Sequence, residues 1–380
     1  MEGKSHIYFT VTNDLVLDQR MQRICTSLHQ AGYGVTLVGR LMPNSAPLPE
    51  QPYRQVRLSL RYHKGKRFYL EYNLALYQWL CADYRQQRLT NAAICAIDLD
   101  TLWPCYRFSR KMGIPRVYDA HELFTELTEV KRRPMVHKAW LMLEKWLVPR
   151  FRHGYTVNQF LADEFRRRYG VQYAVIRNMP FSQPPGTTLP GNLPLPNLPS
   201  QYIWYQGAVN EGRAWEQLIP AMQQVPLPLL IAGTGNYVAQ VNELIKKYQL
   251  THKVQMLGAI APAQLRQLTP HATIGITLFN NTGLNQYYSL ANRFFDYVQA
   301  GVPQLCNHYP EYAALNAQYE TSLLIDQLTA DGIAAALNKL LNNRVLYRYL
   351  QEQCALAALD WCWENESKRL VAFWAQILPL

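Results

Sequence analysis

At 380 residues the chain exceeds the ~150–200 residues that one hydrophobic core usually organises, so two domains are expected. Hydrophobic residues make up 49% and charged residues 17%, enough apolar side chain for two cores and a balance that excludes a disordered chain. The formal charge of +11 calls for an anionic partner, and alone leaves nucleic acid, an anionic membrane surface and phosphate-bearing substrates open.

The first six residues are polar and run into a β-rich stretch with no apolar segment of the signal-peptide kind, so a cytoplasmic location is expected. No apolar run approaches the ~20 residues that cross a bilayer, because even 139–148 is broken by Glu144 and Lys145. Seven cysteines are scattered, odd in number and never in a CxxC pair. That pattern predicts free thiols in a reducing compartment, with neither disulfides nor a metal site.

In chain order, 7–12 and 35–38 read as buried strands, and 19–30, with apolar Met21, Ile24, Cys25 and Leu28, as the helix between them. Strand-like runs at 93–97, 116–118, 155–157 and 174–176 then alternate with helical stretches, which predicts a parallel sheet covered by helices. Between 179 and 200 seven prolines crowd together with Gly186 and Gly191, a linker composition. After it come strand 202–205, helix 215–224, strand 229–232, helix 238–249, strand 253–256, helix 262–268 and strand 274–277. The expected organisation is α/β, with two doubly wound Rossmann-like domains. They are an N-terminal acceptor-side domain at 1–180, a linker at 181–200, a C-terminal domain at 201–360, and a terminal helix at 361–380 that packs back on the first domain. Such a pair leaves a cleft at the carboxyl ends of its strands, where ligands bind.

The segment YYSLANRFFDYVQAGVP, 287–303, is the most informative. Ser289 is a suitable N-cap for a helix starting near Ala291, whose N–H groups and dipole would favour a phosphate. Arg293 adds a cationic fork in the first turn, and Asp296 lies one turn further along the same face. A pyrophosphate at the helix end would leave an attached ribose near Asp296. An ordinary capped amphipathic helix with a surface Arg–Asp pair explains the same residues equally well. In YQGAVNEGRAW, 205–215, a strand ends near Gly207, and Gly212 precedes Arg213 at a helix mouth, a second phosphate-binding pattern that also reads as a plain turn.

The ordered set QGAVNEGRAWEQLI, LLIAGTG, KVQMLGAI, IGITL and YYSLANRFFDYVQAGVP resembles the donor-binding domain of GT-B glycosyltransferases of family 4. In the first half, TNDLVLDQR, GYGVTLVGR, DLDTL, YDAHELF and the run ending at Pro149 resemble the same family. The resemblance implies a retaining, metal-independent transferase that takes a nucleotide sugar, with uridine or guanosine diphosphate favoured as the carrier, and needs no cofactor. It implies a donor site of Gly207, Arg213, Gly233, Gly235, Gly258, Ile260, Tyr288, Ser289, Leu290, Asn292, Arg293 and Asp296. Arg213 would hold the pyrophosphate, Asp296 the ribose, and the loop around Gly258 and Ile260 would lie near the base. His121, within DAHE after a strand, would face the donor sugar, with Glu122 beside it, and Asn13, Asp14 and Arg20 would line the acceptor side. Read without the resemblance, His121 is as readily a core histidine, Glu122 a first-turn carboxylate, and Asn13 or Asp14 a helix cap.

The chain departs from the family pattern at three places. The family's first glutamate of a pair falls on Tyr288, an arginine position on Ala208 and a lysine position on Glu211. Two further readings therefore stand beside the transferase: a catalytically silent nucleotide-sugar-binding subunit, and an epimerase or hydrolase on the same fold.

Basic residues cluster at Arg54, Arg57, Arg61, Lys64, Lys66 and Arg67, and again at Lys131, Arg132, Arg133, Lys138, Lys145 and Arg150. The second cluster is interleaved with Trp140, Leu141, Leu143, Trp146 and Leu147, which predicts either a peripheral seat on an anionic membrane or a solvated helix with inward aromatics. No nucleic-acid motif accompanies either cluster. The expected partners are the donor, a saccharide or lipid-linked acceptor, and an anionic membrane surface.

Overall fold

The computed structural model describes residues 5–16, 18–182 and 198–380. Most of the expected proline-rich linker, 183–197, lies outside the described residues. Two compact units divide the chain, Met1–Asn178 with Asn365–Leu380, and Met179–Glu364.

The first unit is built on seven parallel strands: β1 His6–Thr10, β2 Gly34–Arg40, β3 Arg54–Leu58, β4 Ala92–Ile97, β5 Arg116–Ala120, β6 His153–Thr156 and β7 Ala174–Val175. They lie in the order β3-β2-β1-β4-β5-β6-β7. Six parallel strands form the second unit: β8 Ile203–Gln206, β9 Leu229–Ala232, β10 Val254–Gly258, β11 Ile274–Thr277, β12 Gln304–Asn307 and β13 Ser322–Ile325, in the order β10-β9-β8-β11-β12-β13. In each sheet the order reverses once, between β1 and β4 and between β8 and β11. Those reversals are the topological switch points where doubly wound sheets open a crevice for ligands.

Helices cover both faces of each sheet, so the inner strands are buried on both sides and read as unbroken apolar runs such as AAICAI in β4 and LLIA in β9. Such runs were legible. β3 was not, because RQVRL carries two arginines, which suits a sheet edge where charge blocks further pairing. β12 hides behind Gln304, a buried polar residue satisfied by the Thr277 hydroxyl at 2.9 Å and the Phe294 carbonyl at 3.0 Å.

Two helices close the chain. Arg344–Asp360 ends where Trp361 turns the chain, and Trp363–Ile377 follows. Trp361 packs on Phe294 and Phe295 of the Asn292–Gln299 helix, whereas Trp374 meets Phe9 of β1 at 5.6 Å and Phe373 meets Tyr155 of β6. The Tyr33 hydroxyl donates to the Leu378 carbonyl and Glu366 accepts the Arg177 N–H, so the last helix belongs to the first unit by hydrogen bonds as well as by packing. All seven cysteines are buried free thiols.

Candidate active site

In the second unit the switch point is occupied by Arg293. Its helix, Asn292–Gln299, lies close on the sheet because Gly275 of β11 has no side chain. A Cβ there would come within 2.5 Å of the Tyr297 ring. The Tyr297 hydroxyl donates to the Trp204 carbonyl at 3.0 Å, which ties the helix to β8. Arg293 is thereby drawn inward, with only 7% of its surface exposed. Its Nε donates to the Ile276 carbonyl of β11 at 3.1 Å, and Nη1 reaches the Tyr205 hydroxyl of β8 at 3.4 Å. Nη2 is buried too, and it has no hydrogen-bond partner among the described residues. An unsatisfied buried donor costs about 1–3 kcal/mol, and a charged one more, so the arrangement favours an incoming anion.

Around it, Phe279 carries two guanidinium groups, Arg213 at 4.3 Å and Arg293 at 5.0 Å from the ring centroid. The loop bearing Arg213 is held there by the Asn280 N–H donating to the Gly212 carbonyl. Gly212 (φ 82°) and Ala214 (φ 56°) both sit in the left-handed region, which turns Arg213 out of the Trp215–Ala221 helix that follows. Gly207 is exposed at the end of β8, where an added Cβ would lie 3.5 Å from Arg293 Nη1. Gly233 and Gly235 instead permit close loop packing, since a Cβ would meet the Gly207 carbonyl at 1.8 Å and the Val209 carbonyl at 2.3 Å. Gly258 accepts from the Gly233 N–H, and Ile260 packs into the apolar cluster of Tyr202, Trp204 and Leu230.

One expected contact is corrected. Ser289 does not cap the helix: its hydroxyl donates to the Gln286 carbonyl at 2.8 Å, and the N-cap is Ala291, which has no side chain to offer. A short helix, Leu284–Tyr287, intervenes and points Ser289 back into its own turn. The Ala291 N–H donates to the Tyr312 hydroxyl, Leu290 packs on an apolar cluster, Asn292 is exposed, and Tyr288 rests against Tyr287. Asp296 is half-buried and accepts from Gln206 at 2.8 Å.

In the first unit the switch point is spanned by the Thr12 hydroxyl, which donates to Asp100 at 2.7 Å. The carboxyl ends of β4 and β5 add Asp98, Asp119 and His121. His121 Nε2 lies 3.1 Å from Asp119 Oδ2 and 3.0 Å from Arg20 Nε, while Nδ1 lies 3.6 Å from Asp98 Oδ2. A neutral imidazole accepts from Arg20 at that nitrogen. An imidazolium donates to Asp119 instead. Burial opposes the charge on His121, but the carboxylates of Asp119 and Asp98 outweigh it and raise its pKa to about 9. Asp100 is pushed to about 7 by burial and by the Asp98 charge.

Asp98 holds φ 56° and ψ 170°, a strained backbone for a residue with a side chain, and its Oδ1 accepts the His121 N–H at 3.1 Å. Arg20 is 5% exposed, with Nη2 on Asp119 at 2.9 Å and Nη1 on the Ile176 carbonyl. It therefore acts on Asp119 and His121 rather than at the surface. Glu122 is half-buried next to His121. Asp14 is paired with Arg57, and Asn13 accepts the Leu15 N–H, bracing the loop after β1. Asp18, rather than Asn13 or Asp14, caps the Gln19–Gln30 helix by accepting from the Met21 N–H.

With this geometry in view, two family models match the chain: the glycosyl transferase 4-like domain over residues 17–181 and glycosyl transferases group 1 over 196–356. The chain is a family 4 glycosyltransferase. No curated protein matches it in sequence. Among solved structures it is similar to sucrose-phosphate synthase from Thermosynechococcus elongatus, at TM-score 0.80 and 16% identity over 98% of this chain and 99% of that one. It is also similar to a glycosyltransferase from Rickettsia africae (TM-score 0.74, 11% identity, 98% of both chains). A third is Anabaena HepE in complex with UDP-glucose (TM-score 0.73, 12% identity, 98% of this chain and 99% of that one). At these identities the likeness establishes the GT-B fold. For this glycosyltransferase the sequence reading missed Gln206, Phe279, Asp98 and Asp119. Asp98 and Asp119 stood inside the DLDTL and YDAHELF motifs, but nothing in their spacing revealed the histidine between them.

His121 should titrate near 9 by NMR, and Asp98→Asn should lower that value by removing one of the two carboxylates. Because the folded pKa is raised, the stabilisation is fully present below the ordinary histidine value of about 6.5 and is lost as pH rises through about 9. A His121 titration that ignores the Asp98 change would contradict the assignment.

Proposed function

We propose that the protein transfers a hexose from a nucleoside diphosphate sugar to a saccharide or lipid-linked acceptor, with retention of configuration and with protein cations rather than a metal stabilising the leaving group. The observation that carries the donor half is the buried Arg293 guanidinium, whose Nη2 has no hydrogen-bond partner among the described residues. Arg213 beside Phe279 and the start of the Asn292–Gln299 helix add positive charge where the diphosphate departs. Asp296, one turn along that helix, accepts from the ribose hydroxyls. Uridine is the base to test first, since HepE, of the same fold, is described with UDP-glucose.

In the first unit His121, held as a cation, donates to a hydroxyl of the transferred sugar, and Glu122 assists it. Asn13 and Asp14 serve the acceptor side, and Arg20 acts through Asp119. Retention rests on the family resemblance.

The Pro134–Leu147 helix supports an acceptor held at a membrane. Trp140 packs inward on Tyr69 and Phe124, and Leu147 is buried, as a solvated helix would have them. Yet Met135 is 88% exposed and Met142 63%, on a stripe continued by Trp146, with exposed Lys138 and Lys145 alongside and Lys131, Arg132 and Arg133 just before it. Apolar side chains flanked by lysines fit an anionic bilayer surface, so the protein acts as a peripheral enzyme on the cytoplasmic face. No described helix is long and apolar enough to cross a membrane.

Calorimetric titration of UDP and GDP should show one of them binding, with Arg213→Ala weakening it about tenfold, as loss of a charge-assisted contact implies. Unchanged affinity in that half-exposed variant would remove Arg213 from the site. Co-sedimentation with vesicles of phosphatidylglycerol and phosphatidylcholine should fall several-fold in a Lys138→Glu, Lys145→Glu variant and at high salt, because these charges sit within a Debye length of the surface. Equal sedimentation would refute the membrane seat.

A further inference from the structure

Gln206 meets Asp296 at the donor side, and its surroundings specify what it does there. It is the last residue of β8 and is 5% exposed, so its amide must find its hydrogen bonds inside the protein. Oε1 accepts from the indole Nε1–H of the fully buried Trp204 at 2.8 Å and lies 2.6 Å from the Thr269 hydroxyl. An indole nitrogen only donates, so the amide cannot flip without placing N–H against N–H. The NH2 is thereby directed outward, and Nε2 donates to Asp296 Oδ2 at 2.8 Å. One side chain, anchored in the sheet, fixes the carboxylate that lies one helical turn beyond Arg293.

We propose that Gln206 is a positioning residue that sets Asp296 for a vicinal diol, and so makes the site selective for ribonucleotides over their deoxy counterparts; this rests on the donor reading given above. The amide is itself neutral and donates, so it holds the Asp296 carboxylate as an acceptor. Groups that suit it are paired hydroxyls, whereas a phosphate is repelled and directed towards Arg293. Aspartate is one methylene shorter than glutamate, and a short carboxylate tolerates less error in placement. A fixed donor from β8 supplies that placement, and Gly207, the next residue, leaves the backbone open beside Arg293, where an added Cβ would lie 3.5 Å from Nη1.

The test compares a nucleoside diphosphate with its 2′,3′-dideoxy form, using UDP and GDP as probes, on wild type, Gln206→Glu and Gln206→Leu. Gln206→Glu keeps an acceptor for Trp204 and Thr269, so folding is retained, but it faces Asp296 with an oxygen. Wild type should favour the ribo form by about tenfold or more, the worth of hydrogen bonds to a charged acceptor. Gln206→Glu at pH 8 should bring that ratio close to one, chiefly by weakening the ribo form, and lowering the pH to 5 should restore part of it as the introduced acid regains a proton to donate. Gln206→Leu should lose the preference at both pH values. A wild-type ratio retained in folded Gln206→Glu at pH 8 would overturn the proposal, as would a wild type without preference, and both outcomes leave the donor site standing. Failure of the wild type to bind either diphosphate would instead remove the donor reading itself, and this inference with it.

Discussion

The guanidinium of Arg293 lies beneath the surface of the second unit, fixed by a carbonyl of β11 on one side and a tyrosine of β8 on the other. Burying a permanent cation is expensive unless it is paired, and the two fixed hydrogen bonds leave Nη2 outstanding. Much of the neighbouring sequence follows from that constraint. Gly275 admits Tyr297 and sets the helix close to the sheet, Phe279 offers a ring to both guanidinium groups, and Gly207 leaves room at Nη1. Two hydrogen bonds and two aromatic rings thus fix the guanidinium in place within the unit. Preorganised charge of that kind is what a departing diphosphate requires.

The first unit solves the opposite problem at the matching place in its own sheet. There the acidic groups dominate: Arg20 and His121 pair with the buried Asp119, His121 also faces the half-buried Asp98, and the buried Asp100, held by Thr12, is pushed up to about 7. Burial pushes the Asp119 carboxyl up, but Arg20 and His121 outweigh it and hold its pKa below the ordinary carboxylate value. His121 is charged at neutral pH as a consequence. The strained backbone at Asp98 persists because its carboxylate is engaged by the His121 N–H. Such strain and coupling are commoner at functional sites than in simple packing.

The fold was legible wherever local sequence and burial agreed. Continuous apolar runs announced β4, β9 and β11, and the helices 19–30 and 262–268 followed from periodicity. What escaped was decided by partners far along the chain. The polar residues Gln206 and Gln304 sit in central strands because hydrogen bonds from remote residues satisfy them. Ser289 looked like a cap by type and spacing, but four residues of extra helix before it changed its direction. Helical spacing was enough to put Arg293 and Asp296 on one face, whereas the burial of Arg293 depends on Gly275 and Tyr205, which no local pattern connects to it.

A crystal structure with the tighter-binding nucleoside diphosphate decides whether Arg293 seats it. The diphosphate should lie within hydrogen-bond distance of Arg293 Nη2, with Arg213 closing on it beside Phe279. A diphosphate bound elsewhere, with Nη2 still lacking a partner, would contradict that placement.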